Sequence, residues 1–321
     1  ALTTGGGNVA IGYQALSTED ANGRNVAIGY AALATQDAGA TAYNVAVGYN
    51  AAQALTTGVT NVIMGGNAAL ALTSGSDNIA IGYSALSTED TRGRSIAIGT
   101  SALSSQNAAS DAYNIAIGHN AGTSVSTGVR NTIIGGQAGD ALTTGSYNTA
   151  VGFLALSAED GHGKNTAVGY QALAVQDSGT DAYNTAVGHN AGVAVTTGVL
   201  NTLIGGNAGD ALTTGNRNVA VGFEALTSED RNVAIGEGCL KALNYDGAGY
   251  NVAIGYDSGT SITAGIKNTI IGGLAGDALT TGSENVAIGY LALSAEDGHG
   301  ANVAVGNSAL KVLNAGASGG N

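Results

Sequence analysis

A five-residue motif recurs along the whole chain and constrains its fold more than any other feature. It reads asparagine, then valine, threonine or isoleucine, usually alanine, isoleucine or valine, and glycine; it occurs 18 times, and its fifth residue is glycine every time. A short period repeated this often is typical of solenoids, in which each repeat forms one coil that packs on the next. The motifs start at Asn8, Asn25, Asn44, Asn61, Asn78, Ser95, Asn114, Asn131, Asn148, Asn165, Asn184, Asn201, Asn218, Asn232, Asn251, Asn268, Asn285 and Asn302.

The spacing of the motifs shows a second, longer repeat. Successive starts are 17, 19, 17 and 17 residues apart, so four coils make a super-repeat of 70 residues, and one coil, from Asn218 to Arg231, has only 14. The super-repeats cover 8–77, 78–147, 148–217 and 218–284, with a partial one at 285–321. We therefore expect residues 1–321 to form a single array. Neither end has the polar cap that solenoids need, so we expect the array to belong to a longer chain.

The residue types within a coil favour β-structure throughout. The motif has the alternation of a short strand, the following Tyr-Gln-Ala-Leu stretch suggests a second extended run, and Gly-, Asp- and Thr-rich segments supply turns. The chain has 53 glycines and no proline, and proline is excluded from interior strands. The fold class we predict is all-β: a parallel β-solenoid of about 18 coils with 14–19 residues each, without helices.

Alternation within the motif suggests which residues face the interior. Val9 and Ile11 share one face of the strand, and Asn8, Ala10 and Gly12 share the other. We expect the branched pair to line the interior. This leaves a stripe of alanine and glycine on the outer surface, where the close approach of another chain's backbone would explain it.

The third motif position varies with the period of the super-repeat. It is alanine in 14 of the 18 coils, but isoleucine or leucine in every fourth coil, where the residue after the motif becomes glycine. We interpret this exchange of volume as an interlock between chains; the alternative is a rearrangement inside one roll. The proposed interlock residues are Ile63, Gly66, Ile133, Gly136, Leu203, Gly206, Ile270 and Gly273.

The asparagine that opens each motif is predicted to be structural. Asparagine side chains stacked coil on coil can bond one another and satisfy backbone groups at the turns. The first members of this ladder are Asn8, Asn25, Asn44, Asn61, Asn78, Asn114, Asn131 and Asn148.

Candidate reactive groups are few, and each has a simpler explanation. We expect no catalytic residue, no cofactor and no metal site. The lone Cys239 is expected to be a buried small side chain, and no histidine pairs with a cysteine or another histidine at ligand spacing. Adjacent Glu-Asp pairs recur once per super-repeat, and we expect them to form a solvated ridge. These pairs are Glu19-Asp20, Glu89-Asp90, Glu159-Asp160, Glu229-Asp230 and Glu296-Asp297.

Two further features concern ligands. The residue after the motif is usually aromatic or histidine, for which packing between coils is a simpler explanation than stacking on sugar rings. Thr149, Thr166, Thr185 and Thr202 occupy a position that holds valine in other coils, so their hydroxyl groups are not required there. A net charge of −13 disfavours nucleic acid as a partner, and no apolar run is long enough to insert into a membrane.

These repeats resemble those of two families of surface proteins. Motifs such as Val9-Ala10-Ile11-Gly12, joined by Gly-rich turns over nearly the whole chain, resemble the head repeats of trimeric autotransporter adhesins and the NTAIGYQAL-type repeats of phage tail-fibre proteins. The resemblance implies a left-handed β-roll, a homotrimer, and an extracellular position on a virion or a bacterial surface. Adhesin head coils are commonly shorter and often open with serine, as only Ser95 does here, and the chain has no recognisable coiled-coil stalk, anchor or chaperone domain.

The function expected from this resemblance is structural and adhesive, not enzymatic. The chain would form the shaft or head of a fibre and present a receptor-binding surface or tip to a glycan or protein on a cell. Two alternatives remain open: a glycan-binding module that acts through its corner loops, and a polysaccharide-degrading solenoid.

Overall fold

The computed structural model describes residues 6–19, 23–227, 230–245 and 247–312. The chain divides into two compact units, residues 1–164 and residues 165–321. Unit one contains β1 (Val9–Ile11), β2 (Val26–Ile28), β3 (Val45–Val47), β4 (Val62–Met64), β5 (Ile79–Ile81), β6 (Ile96–Ile98), β7 (Ile115–Ile117), β8 (Thr132–Ile134) and β9 (Thr149–Val151). Unit two contains β10 (Thr166–Val168), β11 (Thr185–Val187), β12 (Thr202–Ile204), β13 (Val219–Val221), β14 (Val233–Ile235), β15 (Val252–Ile254), β16 (Thr269–Ile271), β17 (Val286–Ile288) and β18 (Val303–Val305).

Each unit is a stack of coils whose strands pair in parallel. Equivalent motif residues lie side by side: Ala27 of β2 pairs with Ala46 of β3, and in the other unit Thr166 of β10 pairs with Thr185 of β11. Consecutive strands of a parallel pair need a crossover, and here the remainder of each coil provides it. The predicted all-β parallel β-solenoid is confirmed. Among the described residues, no helix has the length and apolar character of a membrane span.

The glycine that ends every motif is required by a close approach between coils. Gly48 has φ of +144°, and a Cβ atom at this residue would lie 2.5 Å from the carbonyl oxygen of Gly65 in the next coil. Any larger residue would push the two backbones apart and break the stack. This requirement explains why the fifth position admits no exception.

Within the described residues, the rest of each coil turns sharply and does not form a second strand. Residues with left-handed backbone recur at fixed places, as in the first coil at Gln14 (φ 55°), Leu16 (φ 51°) and Arg24 (φ 69°). Our expectation of a second extended run after the motif was therefore wrong. Left-handed residues reverse the chain within very few residues, which lets a short coil close on itself.

The assignment of faces within the motif was also wrong. In β2, Ala27 is fully buried, whereas Val26 and Ile28 on either side of it are half-exposed, and most other strands repeat this pattern. The asparagine and alanine columns therefore line the interior, and the branched residues point outward. Thr149 and Thr166, which we expected to point inward, are also half-exposed.

Leucines from the turning part of the coil occupy the space that the alanines leave. Leu33, eight residues after its motif asparagine, is fully buried. In β8 the alanine is replaced by the fully buried Ile133, and the residue at the leucine place becomes Gly139. A Cβ atom on Gly139 would lie 3.5 Å from the Cδ1 atom of Ile133. The exchange of volume is thus internal to one roll.

Candidate functional site

The interior of each coil has one polar corner, which is built on the asparagine column. The Oδ1 atom of Asn131 accepts a hydrogen bond from the backbone N–H of Asn148 in the next coil, at 2.8 Å. Its Nδ2 atom donates to the carbonyl oxygen of Gly145, at 2.9 Å. The same bonds recur from coil to coil, and every residue that opens a motif from Asn25 onwards is buried, including Ser95, where serine replaces asparagine. The predicted ladder is therefore present, inside the roll.

The ladder continues through Ser95 with a different set of contacts. The backbone N–H of Ser95 donates to Oδ1 of Asn78, at 3.0 Å. Gln106 reaches the same corner, donating from Nε2 to the Ser95 hydroxyl at 2.9 Å and accepting from Nδ2 of Asn114 at 2.8 Å. Gln36 and Gln176 make the same contact with the asparagine of the next coil, so the bond to the Ser95 hydroxyl is the part that the serine changes.

Glutamates of the Glu-Asp pairs lie in this polar corner and not on the surface. Glu19, Glu89, Glu159 and Glu296 are at most 1% exposed. Our expectation of a solvated ridge was wrong for these four residues; Asp20 and Glu229 lie outside the described residues. Glu19, Glu89 and Glu159 occupy the place that Gln36, Gln106 and Gln176 take in the following coils, whereas other coils carry a buried apolar residue there, such as Leu55 or Leu142.

The contacts of Glu89 show how the corner holds a carboxyl group. One oxygen accepts from the backbone N–H of Arg92 at 3.1 Å, and the other accepts from Nε2 of Gln106 at 3.0 Å. Burial raises the pKa of Glu89 above its usual value, these hydrogen bonds lower it in part, and the charge of Asp90 raises it further. The charged form is therefore less favourable in the folded chain than in the unfolded one.

We expect this burial to make stability depend on pH. The pKa of Glu89 is higher in the folded chain than in the unfolded chain. Its contribution to the free energy of unfolding is therefore fully present below the unfolded pKa, near 4.5, and is lost as pH rises through the folded pKa. The free energy of unfolding of the wild type, minus that of Glu89→Gln, should therefore fall by about 1 kcal/mol between pH 3 and pH 8. Urea unfolding at several pH values measures this difference.

The control for this prediction is Asp90→Asn, which removes a neighbouring charge but keeps the buried carboxyl group. This variant should retain most of the fall in stability with pH. A difference between the wild type and Glu89→Gln that rises with pH would contradict the assignment.

Two turns bring a histidine beside a buried glutamate. The segments 158–163 and 295–300 share the sequence Ala-Glu-Asp-Gly-His-Gly. In the second, the backbone N–H of His299 donates to Oε1 of Glu296 at 2.9 Å, and Nδ1 of the imidazole lies 2.9 Å from the same oxygen. Ligand atoms of Glu296, Asp297 and His299 lie within 4.8 Å of one another, so these residues would be the ones to hold a cation. Both contacts join Glu296 to His299 within one turn, so in this structure the glutamate stabilises the turn.

The outer face of each sheet consists of two parallel columns of branched side chains. The second and fourth motif residues are valine, isoleucine or threonine, apart from Met64 at one fourth position. Both columns are at least partly exposed along each unit; Ile117 is 37% exposed and Ile204 is 39% exposed. Nine strands at about 4.8 Å spacing make each stripe about 38 Å long. The fourth-residue column is apolar throughout, whereas the second-residue column holds threonine in six strands. A largely apolar surface of this length typically marks an interface.

The interlock residues do not lie on this face. Ile63, Ile133, Leu203 and Ile270 are fully buried inside their own roll and reach no other chain. The interpretation of these four as interchain contacts was wrong, because the thin interior has room for alanine or for one larger side chain only where the nearby leucine is missing. Their partner glycines, among them Gly66 and Gly136, lie outside the roll and are partly exposed.

The aromatic residues that follow the motif form an exposed column. Tyr30 stacks on Tyr13 and on Tyr49, with ring centroids 5.3 Å apart in both pairs. Tyr170 stacks on His189 at 5.1 Å. Packing between coils is thus confirmed for these rings.

A second aromatic set precedes the asparagine column. Its tyrosines are exposed, and four of them lie beneath an arginine at 5.4–5.7 Å from the ring centroid. Only the spacing of the arginines relative to the coils could have indicated this arrangement. The pairs are Arg24 with Tyr43, Arg94 with Tyr113, Arg130 with Tyr147, and Arg231 with Tyr250.

Cys239 is fully buried, as expected. Its thiol lies 2.7 Å from the carbonyl oxygen of Gly255, and burial raises its pKa to about 11. A thiol with such a pKa is almost entirely protonated at neutral pH, so it is a poor nucleophile.

Comparison with protein-family models, with curated proteins and with solved structures finds no match for this chain. The argument for function therefore depends on its own surfaces.

Proposed function

We propose that this chain is the shaft or head of an extracellular homotrimeric fibre that takes part in attachment to a cell surface, on a virion or on a bacterium. Its role is structural and adhesive, and a receptor-binding surface or tip is presented by the fibre. In this proposal the outer columns of three copies pack around a common axis, and the coils have the left-handed sense that the family resemblance implies.

The exposed outer columns are the observation that carries the proposal. Two adjacent rows of branched side chains, apolar except for six threonines in the second-residue row, are costly to leave in water, at about 25 cal/mol for each Å² of apolar surface. A second and a third copy would cover them with the same kind of surface. The resemblance of the motif to trimeric adhesin and tail-fibre repeats supports three copies in place of two.

The ladders inside the roll support a mechanical role. Every motif strand within a unit pairs in register with its neighbours, and the asparagine bonds run parallel to these pairs. Stiffness along the stacking direction follows, because bending a unit would stretch several hydrogen bonds in each coil at once.

Solution mass by light scattering tests the proposal. We expect the wild type to have about three times the chain mass of 31.1 kDa. Replacing Ile117 and Ile204 by lysine places charges in the outer columns and should convert the assembly to monomers, because buried unpaired charges are strongly unfavourable at an interface.

The matched control is Thr127→Lys with Thr214→Lys, which adds the same charges at exposed places away from the outer columns. This variant should keep the mass of the wild type. Circular dichroism of both variants shows whether the solenoid has folded. A monomeric wild type would refute the threefold assembly.

A further inference from the structure

The aromatic column is interrupted by glycine once in every four coils. Each interruption leaves an opening between the rings of the preceding and following coils, and we call these openings the aromatic slots. The four slots, each given as wall, floor and wall, are Tyr49, Gly66 and Tyr83; His119, Gly136 and Phe153; His189, Gly206 and Phe223; and Tyr256, Gly273 and Tyr290.

The glycines that form the floors are not required by the backbone. None of the four has a left-handed φ, and a Cβ atom on Gly66 would make only a tight contact of 3.4 Å with the ring of Tyr83. Gly65, one residue earlier, differs in both respects, since it has φ of +135° and a Cβ there would lie 2.4 Å from the next coil. The floor glycines therefore leave an opening that a side chain would otherwise fill.

At Tyr49 the wall ring exposes the face that points into its slot, whereas Phe153 beside Gly136 is 45% exposed, no more than a ring flanked on both sides. Tyr30, with a stacked ring on each side, is 45% exposed, and so is Tyr170 between Phe153 and His189. Tyr49 stacks on Tyr30 on one side only and borders Gly66 on the other, and it is 57% exposed. The difference is the ring face that lies open to the slot.

The width of a slot suits one six-membered ring. Two coil spacings separate the walls by about 9.6 Å. Tyr30 shows that the same spacing holds a ring, since it fills the place between Tyr13 and Tyr49. Carbon contacts of about 3.5–4.0 Å on each side leave roughly 2 Å for the thickness of the ring itself. A flat aromatic ring, as at Tyr30, and a puckered, saturated ring both fit this thickness.

Polar groups at the rim suit a ligand with many hydroxyl groups. Nδ2 of Asn50, the residue after Tyr49, donates to Oδ1 of Asn67 at 3.4 Å, and the Oδ1 atom of Asn50 is buried without a hydrogen-bond partner. Asn190, after the His189 wall, has the same unsatisfied Oδ1 atom. After the Tyr256 wall, Asp257 accepts a hydrogen bond from the tyrosine hydroxyl and thereby raises the pKa of Tyr256. Because these two amide oxygens are buried, each amide has to turn outward before it can accept a hydrogen bond from a ligand hydroxyl.

We propose that the aromatic slots bind pyranose rings of a neutral polysaccharide. Saturated C–H groups of the sugar would stack on the wall rings, and its hydroxyl groups would bond the amides of the rim. The net charge of −13 favours a neutral ligand over an anionic one. Slots within a unit recur every four coils, about 19 Å apart, so one extended chain of sugars can occupy two of them. This inference goes beyond the fibre proposal, because a slot is complete within one chain.

Calorimetric titration with cello-, xylo-, manno- and chitohexaose tests the inference. We expect the wild type to bind at least one of these neutral hexasaccharides. A slot-filled variant, with Gly66, Gly136, Gly206 and Gly273 all replaced by tyrosine, should bind it at least tenfold more weakly. Tyrosine is the residue that half of the other coils carry at this place, so the variant is expected to fold.

Two further variants keep the test decisive. Thr100→Tyr adds a ring to the same column outside a slot and should leave binding unchanged. Tyr30→Gly opens a fifth slot between Tyr13 and Tyr49 and should increase the heat released per chain, even if the slot-filled variant does not fold. Absence of binding by the wild type, equal binding by the slot-filled variant, or tight binding of N-acetyltyrosinamide in place of the sugars would overturn the inference. Light scattering on the same samples separates a failure here from a failure of the trimer.

Discussion

Replacing Ile133 by alanine is expected to lower the free energy of unfolding by about 3–5 kcal/mol, which is the upper part of the range for such truncations. Ile133 is fully buried, and the missing leucines of two adjacent coils make its side chain the main filling of this part of the roll. Cβ atoms on Gly122 and Gly139 would lie 2.9 and 3.5 Å from its Cδ1 atom. Leu103, Val125 and Leu142 lie beside these glycines and are already packed in the interior, so we expect them to refill the cavity only in part. Urea unfolding measures the loss.

Ile134→Ala is the matched control for this prediction. It removes the same atoms one residue further along the strand, where the side chain points outward and is half-exposed. In a dissociated chain we expect this variant to lose less than about 1 kcal/mol, which is ordinary for a surface substitution. Equal losses for Ile133→Ala and Ile134→Ala, measured on monomers, would contradict the inward position of the third motif residue.

Replacing Asn131 by alanine is expected to lower the free energy of unfolding by a similar amount, about 3–5 kcal/mol. The substitution leaves the N–H of Asn148 and the C=O of Gly145 without their partners in a buried corner, at about 1–3 kcal/mol for each group. Since solenoid coils interact mainly with their neighbours, the damage should be local. Hydrogen exchange should therefore speed up most at the amide of Asn148, and urea unfolding gives the total loss.

Gln137→Ala provides the comparison within the same coil. Gln137 is polar and of similar size but lies partly exposed, outside the ladder. Its loss should change the free energy of unfolding by less than about 1 kcal/mol. If Asn131→Ala proved no more harmful than Gln137→Ala, the asparagine column would not be a main source of stability.

The sequence predicted the repeat architecture correctly because its period is carried by residues that have few alternatives. Glycine at the fifth motif position and asparagine at the first both serve contacts between one coil and the next, so they recur wherever a coil begins. Gly48 shows the steric requirement and Asn131 the hydrogen-bonding one. Parallel pairing in register follows from such a repeat, since equivalent residues must meet.

The sequence did not predict which face of the strand is buried. Both faces of the motif are apolar, with Ala27 on one and Val26 and Ile28 on the other. Alternation alone therefore does not show which face points to the interior. The usual preference for burying larger side chains then led to the wrong face. A correlation in the sequence does show which face is buried. Where the third motif residue is large, as at Ile133, the residue six positions later is small, as at Gly139. That correlation links two places across the interior of one coil.

The candidate sites were missed for a related reason. Glu89 beside Asp90 looks like a surface pair, and only the closed coil shows that the turn directs the glutamate inward and the aspartate away from the core. The aromatic slots also need the coil spacing, because Tyr49 and Tyr83 are 34 residues apart and become the walls of one opening only when the coils stack.

By itself, the sequence determined the number of coils, their parallel stacking, and the positions of the asparagine ladder and of the glycine that ends each motif. These features depend on contacts between identical places in successive repeats, which periodicity reveals directly. Only the tertiary structure decided which side of the strand faces inward, where the glutamates lie, and which rings border an open slot. Those features depend on how different places within a coil share a thin interior, and that is set by the path of the chain around its turns.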